Sequence, residues 1–128
     1  MKLLLDTHAF LWWIDGDTRL TARARRAIAD HENEVLVSVA SVWEITTKAR
    51  IGKLPGALDV ALDVGAAIAA QGFTTLAVLA SHAQRAGSMP GAHRDPFDRM
   101  LAAQAIEEAA RLVSNETVLD AFGATRLW

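Results

Sequence analysis

Short apolar runs alternate along the chain with longer segments in which polar and apolar residues recur at helical spacing. Leu3-Leu4-Leu5 is uniformly apolar, as a strand covered on both faces must be, and Val35 to Val37 repeats the pattern. Phe73 to Leu76, Leu112-Val113 and Thr125-Arg126-Leu127 are three further strands by the same criterion. Helical stretches lie between them. Thr21 to Asp30 carries Arg23, Arg25 and Arg26 on a polar face, and Ser41 to Ile51 is closed by Gly52 before a break at Pro55-Gly56. Leu58 to Gln71 reads as one small-residue helix ended by Gly72. Ser81 to Ala86 is a short helix, and Gly87 to Arg94 is a loop. Pro96 to Ala110 gives the clearest signal, with Phe97, Leu101 and Ala105 on one side. A last short helix spans Thr117 to Ala121. Alternation of this kind predicts an α/β fold in three α/β/α layers, with a central parallel β-sheet and one domain over residues 1–128.

Composition narrows the class. A chain of 128 residues, 52% hydrophobic, is sized for one domain with one core. With no cysteine, disulfides, thiolate zinc sites and cysteine nucleophiles are excluded. Lys2 and Asp6 bring charge too early for a signal peptide. No apolar run approaches the roughly 20 residues that cross a bilayer. A cytoplasmic protein without membrane association is therefore expected. The net charge of −2 argues against a general nucleic-acid coat, yet permits a basic rim around an acidic site.

Such a site is what the acids suggest. Asp6, Glu44 and Glu116 each come soon after a predicted strand, and Asp98 opens the alanine-rich helix. In a parallel sheet all four gather at the carboxyl edge, where open α/β folds bind ligands. Crowded carboxylates repel and raise one another's pKa, so the cluster calls for a divalent cation; hard Mg²⁺ or Mn²⁺ prefers oxygen ligands.

Each acid also has a structural explanation. Ser41-Val42-Trp43-Glu44 matches a capping box, and Asp95-Pro96 matches an N-cap followed by proline, with Asp98 in the first turn. Ser114 or Asn115 would cap the next helix, placing Glu116 in its first turn. Asp6 has no such duty, since it closes a buried strand. His8 is either near a substrate or bonded to loop backbone. Thr7 is a candidate to tie the loop after the first strand, to bond Asp6 or Glu116, or to touch substrate. His93, Arg94 and Arg99 are candidate substrate contacts at the rim, with solvation the alternative. Lys48, four residues after Glu44, is either an ion-pair partner or a further contact. Trp12, Trp13 and Trp43 are either stacking platforms or core. Ala9 to Ile14 is apolar on nearly every side and is expected to leave one face open for a partner.

Leu3-Leu4-Leu5-Asp6-Thr7-His8, Ser41-Val42-Trp43-Glu44-Ile45, Asp98 to Ala105 and Leu112-Val113-Ser114-Asn115-Glu116 together resemble the successive motifs of PIN-domain ribonucleases, most closely the VapC toxins of bacterial toxin–antitoxin pairs. The resemblance covers the whole chain. It implies a PIN-like fold and an Mg²⁺-dependent endoribonuclease that hydrolyses RNA by a metal-activated water. Asp6, Glu44 and Asp98 would hold the metal, with Glu116 as the fourth catalytic acid. Where the family has Thr-x-Asp, this chain has Ser114-Asn115-Glu116, so the fourth acid is one methylene longer. The implied partners are single-stranded or structured RNA, a small cognate antitoxin and a second copy in a homodimer.

Three rival classes share parts of this pattern. A two-component receiver needs paired acids after the first strand and an aspartate after the third, and neither is present. A haloacid-dehalogenase-type phosphatase needs a second aspartate two residues after the first, where His8 stands. A non-catalytic PIN-like module that binds RNA or protein is the remaining alternative.

Overall fold

The structure, a computed structural model, describes residues 1–54, 56 and 58–128. Five strands form one sheet: β1 Lys2–Leu5, β2 Glu34–Ser38, β3 Thr74–Leu76, β4 Arg111–Val113 and β5 Arg126–Leu127. Their order is β3-β2-β1-β4-β5, and every pairing is parallel. The apolar run of β1 is central because it is covered twice. Leu3 and Leu5 join Val35, Val37 and Val113 in one core, while Leu4 joins Leu36 and Leu112 in another. Alternation along a strand sends successive side chains to opposite faces, so an unbroken apolar run is what a doubly covered sheet requires.

Helices close both faces. On the first lie α1 Thr7–Asp15, α2 Ala22–Ala29, α3 Val39–Arg50, α4 Leu58–Leu62 and α5 Val64–Ala70, with Phe10, Ile28, Ile45 and Ile68 in the shared core. On the second, α7 Pro96–Glu107 packs Leu101, Ala102 and Ala105 against the sheet, joined by Leu119 of the 3-10 helix Thr117–Phe122. Outside it, α6 Ala80–Ser88 lies on α7. His82 of α6 is buried; its Nδ1 accepts from the Leu79 N–H at 3.0 Å, and its Nε2 meets Glu108 Oε1 at 3.1 Å.

Three boundaries depart from the sequence reading. Helix α1 was not expected at all. Helix α3 begins at Val39 because Ser38 is its N-cap, accepting from the Ala40 N–H at 2.9 Å, so Ser41 and Glu44 do not form the capping box. The stretch from Leu58 to Gln71 is two helices, divided at Asp63, which caps the second through the Ala66 N–H. The break expected at Pro55 lies outside the described residues.

Candidate active site

Strand register brings the site together. Leu5 pairs with Val37 on one side and Val113 on the other, so Asp6, Ser38 and Ser114 leave the carboxyl edge side by side. The Asp6 N–H continues the ladder, donating to the Val113 carbonyl at 3.0 Å. Asp6 does have a helix-start duty, contrary to expectation: its Oδ1 accepts from the Ala9 N–H at 2.8 Å and caps α1. Burial pushes its pKa up to about 6, helped by the charge of Asp98. Hydrogen bonds from Ser114 and Ala9 and the nearby His8 oppose that shift only partly. Among the described residues no lysine or arginine pairs with Asp6.

Glu44 reaches the same edge from the second turn of α3. It is buried, and both its oxygens have donors: Thr7 Oγ1 at 2.5 Å on Oε1, and Lys48 Nζ at 2.5 Å on Oε2. Thr7 is therefore buried behind Glu44, also 3.0 Å from Ser41 Oγ, and bonds neither Asp6 nor Glu116. Burial works to neutralise Lys48, but its bond to Glu44 and the charges of Glu44, Asp95 and Asp98 hold the ammonium above its ordinary range.

Asp98 stands in the first turn of α7, where Asp95 is the N-cap, accepting from the N–H groups of Phe97 and Asp98. Its Oδ2 meets His93 Nε2 at 2.8 Å. Burial raises its pKa, as do the charges of Asp95 and Glu44, while the His93 contact lowers it. Glu116 is exposed and precedes the 3-10 helix rather than entering it; its N–H donates to Ser114 Oγ at 3.0 Å, and its side chain makes no capping bond.

These groups line a cleft of about 100 Å³ formed by Asp6, Thr7, His8, Glu44, Lys48, Asp95, Asp98 and Glu116. All four predicted acids are there, with Asp95 as a fifth. The donor chemistry suits a hard divalent cation, because carboxylate oxygens dominate and Asp6 is buried without a cationic partner. The side chains are not already closed on one point: among the described residues no three acids or histidines stand where a single ion would touch them all. Lys48 on Glu44 and His93 on Asp98 occupy those acids instead.

The rim differs more. Arg99, one of the candidate substrate contacts, instead gives four of its five N–H donors to the carbonyls of Ala86, Met89, Gly91 and His93. It fastens the loop that presents His93. Arg94 is exposed on that loop. His8 lies in α1 rather than in a loop, and its ring stacks on Trp12 at 5.5 Å. Trp12 packs against Trp128, and Trp13 Nε1 donates to Gln71. The Ala9 to Ile14 segment is mostly spent on the core, since Ala9, Phe10 and Leu11 are buried. Trp43 is the open one, 64% exposed, edge-on to Phe97 at 5.0 Å. Ser114, a candidate cap and the first residue of the Ser114-Asn115-Glu116 element, stands one residue beyond β4 and level with Asp6, which is the signal for its bond to that acid.

An all-parallel sheet covered on both faces, with acids converging at its carboxyl edge, defines an α/β protein with an acidic cleft. Residues 3–124 match the family model of the PIN domain, and the chain belongs to that family. It is 31% identical over 115 residues to Ribonuclease VapC22 of Mycobacterium tuberculosis, a match covering 89% of this chain and 86% of the relative. The fold is similar to VapBC2 from Rickettsia felis, solved bound to a DNA fragment from their promoter, with TM-score 0.71 at 18% identity over 100% of this chain and 98% of that one. It is also similar to VapC20 of M. tuberculosis, described as a Sarcin-Ricin loop cleaving toxin, with TM-score 0.64 at 17% identity over 98% of each chain. No helix among the described residues is long and apolar enough to cross a membrane.

Proposed function

We propose that this chain is a divalent-metal-dependent endoribonuclease, the toxin of a toxin–antitoxin pair. The observation that carries the reading is the acidic cleft, in which Asp6 is buried without a lysine or arginine partner and kept hard to ionise. A protein accepts that cost where a bound cation repays it. The ribonuclease named among the relatives supports the chemistry, and the VapBC structures support a small cognate antitoxin as partner.

Asp6 and Asp98 would hold Mg²⁺ or Mn²⁺, with Glu44 on the α3 side and Glu116 at the rim. When bound, such an ion supplies positive charge beside the scissile phosphate and makes a water acidic enough to attack. The chain's own groups do the positioning. Ser114 orients the Asp6 carboxylate, Thr7 fixes Glu44, and His93 steadies Asp98 through Oδ2. Exposed Arg94 is placed to meet the phosphates of an RNA strand. An apolar groove of about 400 Å³ lined by Val39, Ala40, Trp43, Val78, Pro96, Phe97 and Met100 opens beside Glu44 and Asp98 and supports pairing with a second copy of the chain.

Purified protein should cut RNA with Mg²⁺ or Mn²⁺ and stop when a chelator is added. Asp6→Ala and Asp98→Ala should each reduce cutting by at least about a hundredfold while leaving the circular-dichroism spectrum unchanged. Cleavage that survives loss of both acids would rule the mechanism out.

A further inference from the structure

Among the described residues, Lys48 is the one lysine or arginine lining a cleft that also holds Asp6, Glu44, Asp95, Asp98 and Glu116. Helical spacing puts it there: four residues after Glu44 on α3, its side chain folds back along the same face, and Nζ closes on Oε2 at 2.5 Å. The two partners are unequally placed. The Glu44 side chain is 6% exposed and that of Lys48 is 31% exposed. Glu44 is therefore held in the cleft wall, whereas Lys48 has a flexible four-carbon stem with which to swing its ammonium out to water. Removing the ammonium without replacement would leave a buried carboxylate uncompensated, a costly state. The two events are thus tied: the ammonium leaves when another cation arrives.

We propose that Lys48 is a built-in counter-cation that holds Glu44 in the ion-free cleft and must be displaced from it when a divalent cation enters. This rests on the metal-dependent reading above and adds a residue to it. Lys48 sets the affinity of the site by competition, because the divalent ion must outbid an ammonium tethered to the same helix. Ion-free protein keeps a partly neutralised, folded cleft, and weakly held monovalent ions do not open it. Lys48 is in this sense a positioning residue for Glu44 and not a member of the reacting set.

The test measures Mn²⁺ binding to the purified chain by calorimetry, with thermal melting in chelator alongside. Lys48→Met should bind Mn²⁺ about five- to tenfold more tightly than the wild type, yet melt several degrees lower without metal. Lys48→Arg, whose guanidinium grips a carboxylate through two parallel bonds, should bind Mn²⁺ more weakly than the wild type and keep its ion-free melting point. This variant keeps the proposal testable should Lys48→Met not fold. Unchanged or weaker Mn²⁺ binding in Lys48→Met, or tighter binding in Lys48→Arg, would overturn it. Wild-type protein that binds Mn²⁺ but cuts no RNA would count against the ribonuclease reading alone. If no variant binds Mn²⁺, both ideas fail.

Discussion

Asp6 shows how one residue can serve the fold and the site at conflicting cost. Capping α1 through the Ala9 N–H favours an acceptor at this position, while burial penalises its charge. The ordinary value of 3.8 rises to about 6 in the fold, so the folded chain binds the proton more tightly than the unfolded one. For this group the ion-free fold is therefore favoured below about pH 4, and that advantage is lost as pH rises through about 6. Asparagine keeps a capping oxygen without the charge. Asp6→Asn should then stabilise the ion-free protein by about 1–3 kcal/mol near pH 8 and be nearly neutral near pH 4. Urea denaturation at the two pH values in chelator reads this directly. A variant equally destabilised at both would mean that capping geometry, and not charge, governs the position.

At the scale of elements, the loop between α6 and α7 is held by a side chain that the sequence presented as a surface cation. Arg99 ties four of the loop's neighbouring carbonyls while its guanidinium lies 5.0 Å from the Phe122 ring. That ring lies close beneath Gly91, where a Cβ would come within 2.6 Å of it. Arg99→Ala should cost about 1–3 kcal/mol in urea denaturation, since four carbonyls, most of them partly buried, lose a charged donor. Arg99→Lys should recover little, because a point charge cannot span the same acceptors. A loss below about 0.5 kcal/mol would show that the loop stands without it. Nothing local marks such a clamp: its acceptors are backbone atoms up to 13 residues away. The sheet was legible for the opposite reason, since doubly covered strands must be apolar throughout. Helix α1 was hidden because Ala9 to Ile14 is too uniformly apolar to display a helical stripe and its cap is the strand's last acid. Ser41 drew the start of α3 two residues too late because serine at position 38 does the capping from inside the strand. Asp6, Glu44 and Glu116 were legible through their place soon after strands, and Asp98 through its place at the start of the alanine-rich helix. Their partners Ser114, Thr7 and His93 depend on register and on loop path, which spacing alone does not encode.

The whole molecule leaves one apolar face beside its charged cleft, and its position differs from the expectation based on Ala9 to Ile14. That segment turns inward, whereas Trp43, Val39, Val78 and Leu79 stay well exposed. Trp43 precedes Glu44 and Phe97 precedes Asp98, so the two helices that deliver these acids also build the groove. In the proposed homodimer two such faces would meet. Interface cores favour buried aromatic anchors, and truncating one commonly costs 2 kcal/mol or more of association. Trp43→Ser should therefore shift the chain from dimer to monomer in sedimentation at micromolar concentration, about thirtyfold or more in dissociation constant. Its effect on monomer stability should stay within about 1 kcal/mol, because the ring is mostly solvent-exposed in the single chain. A Trp43→Ser protein that sediments as the wild type does would move the pairing surface away from this groove.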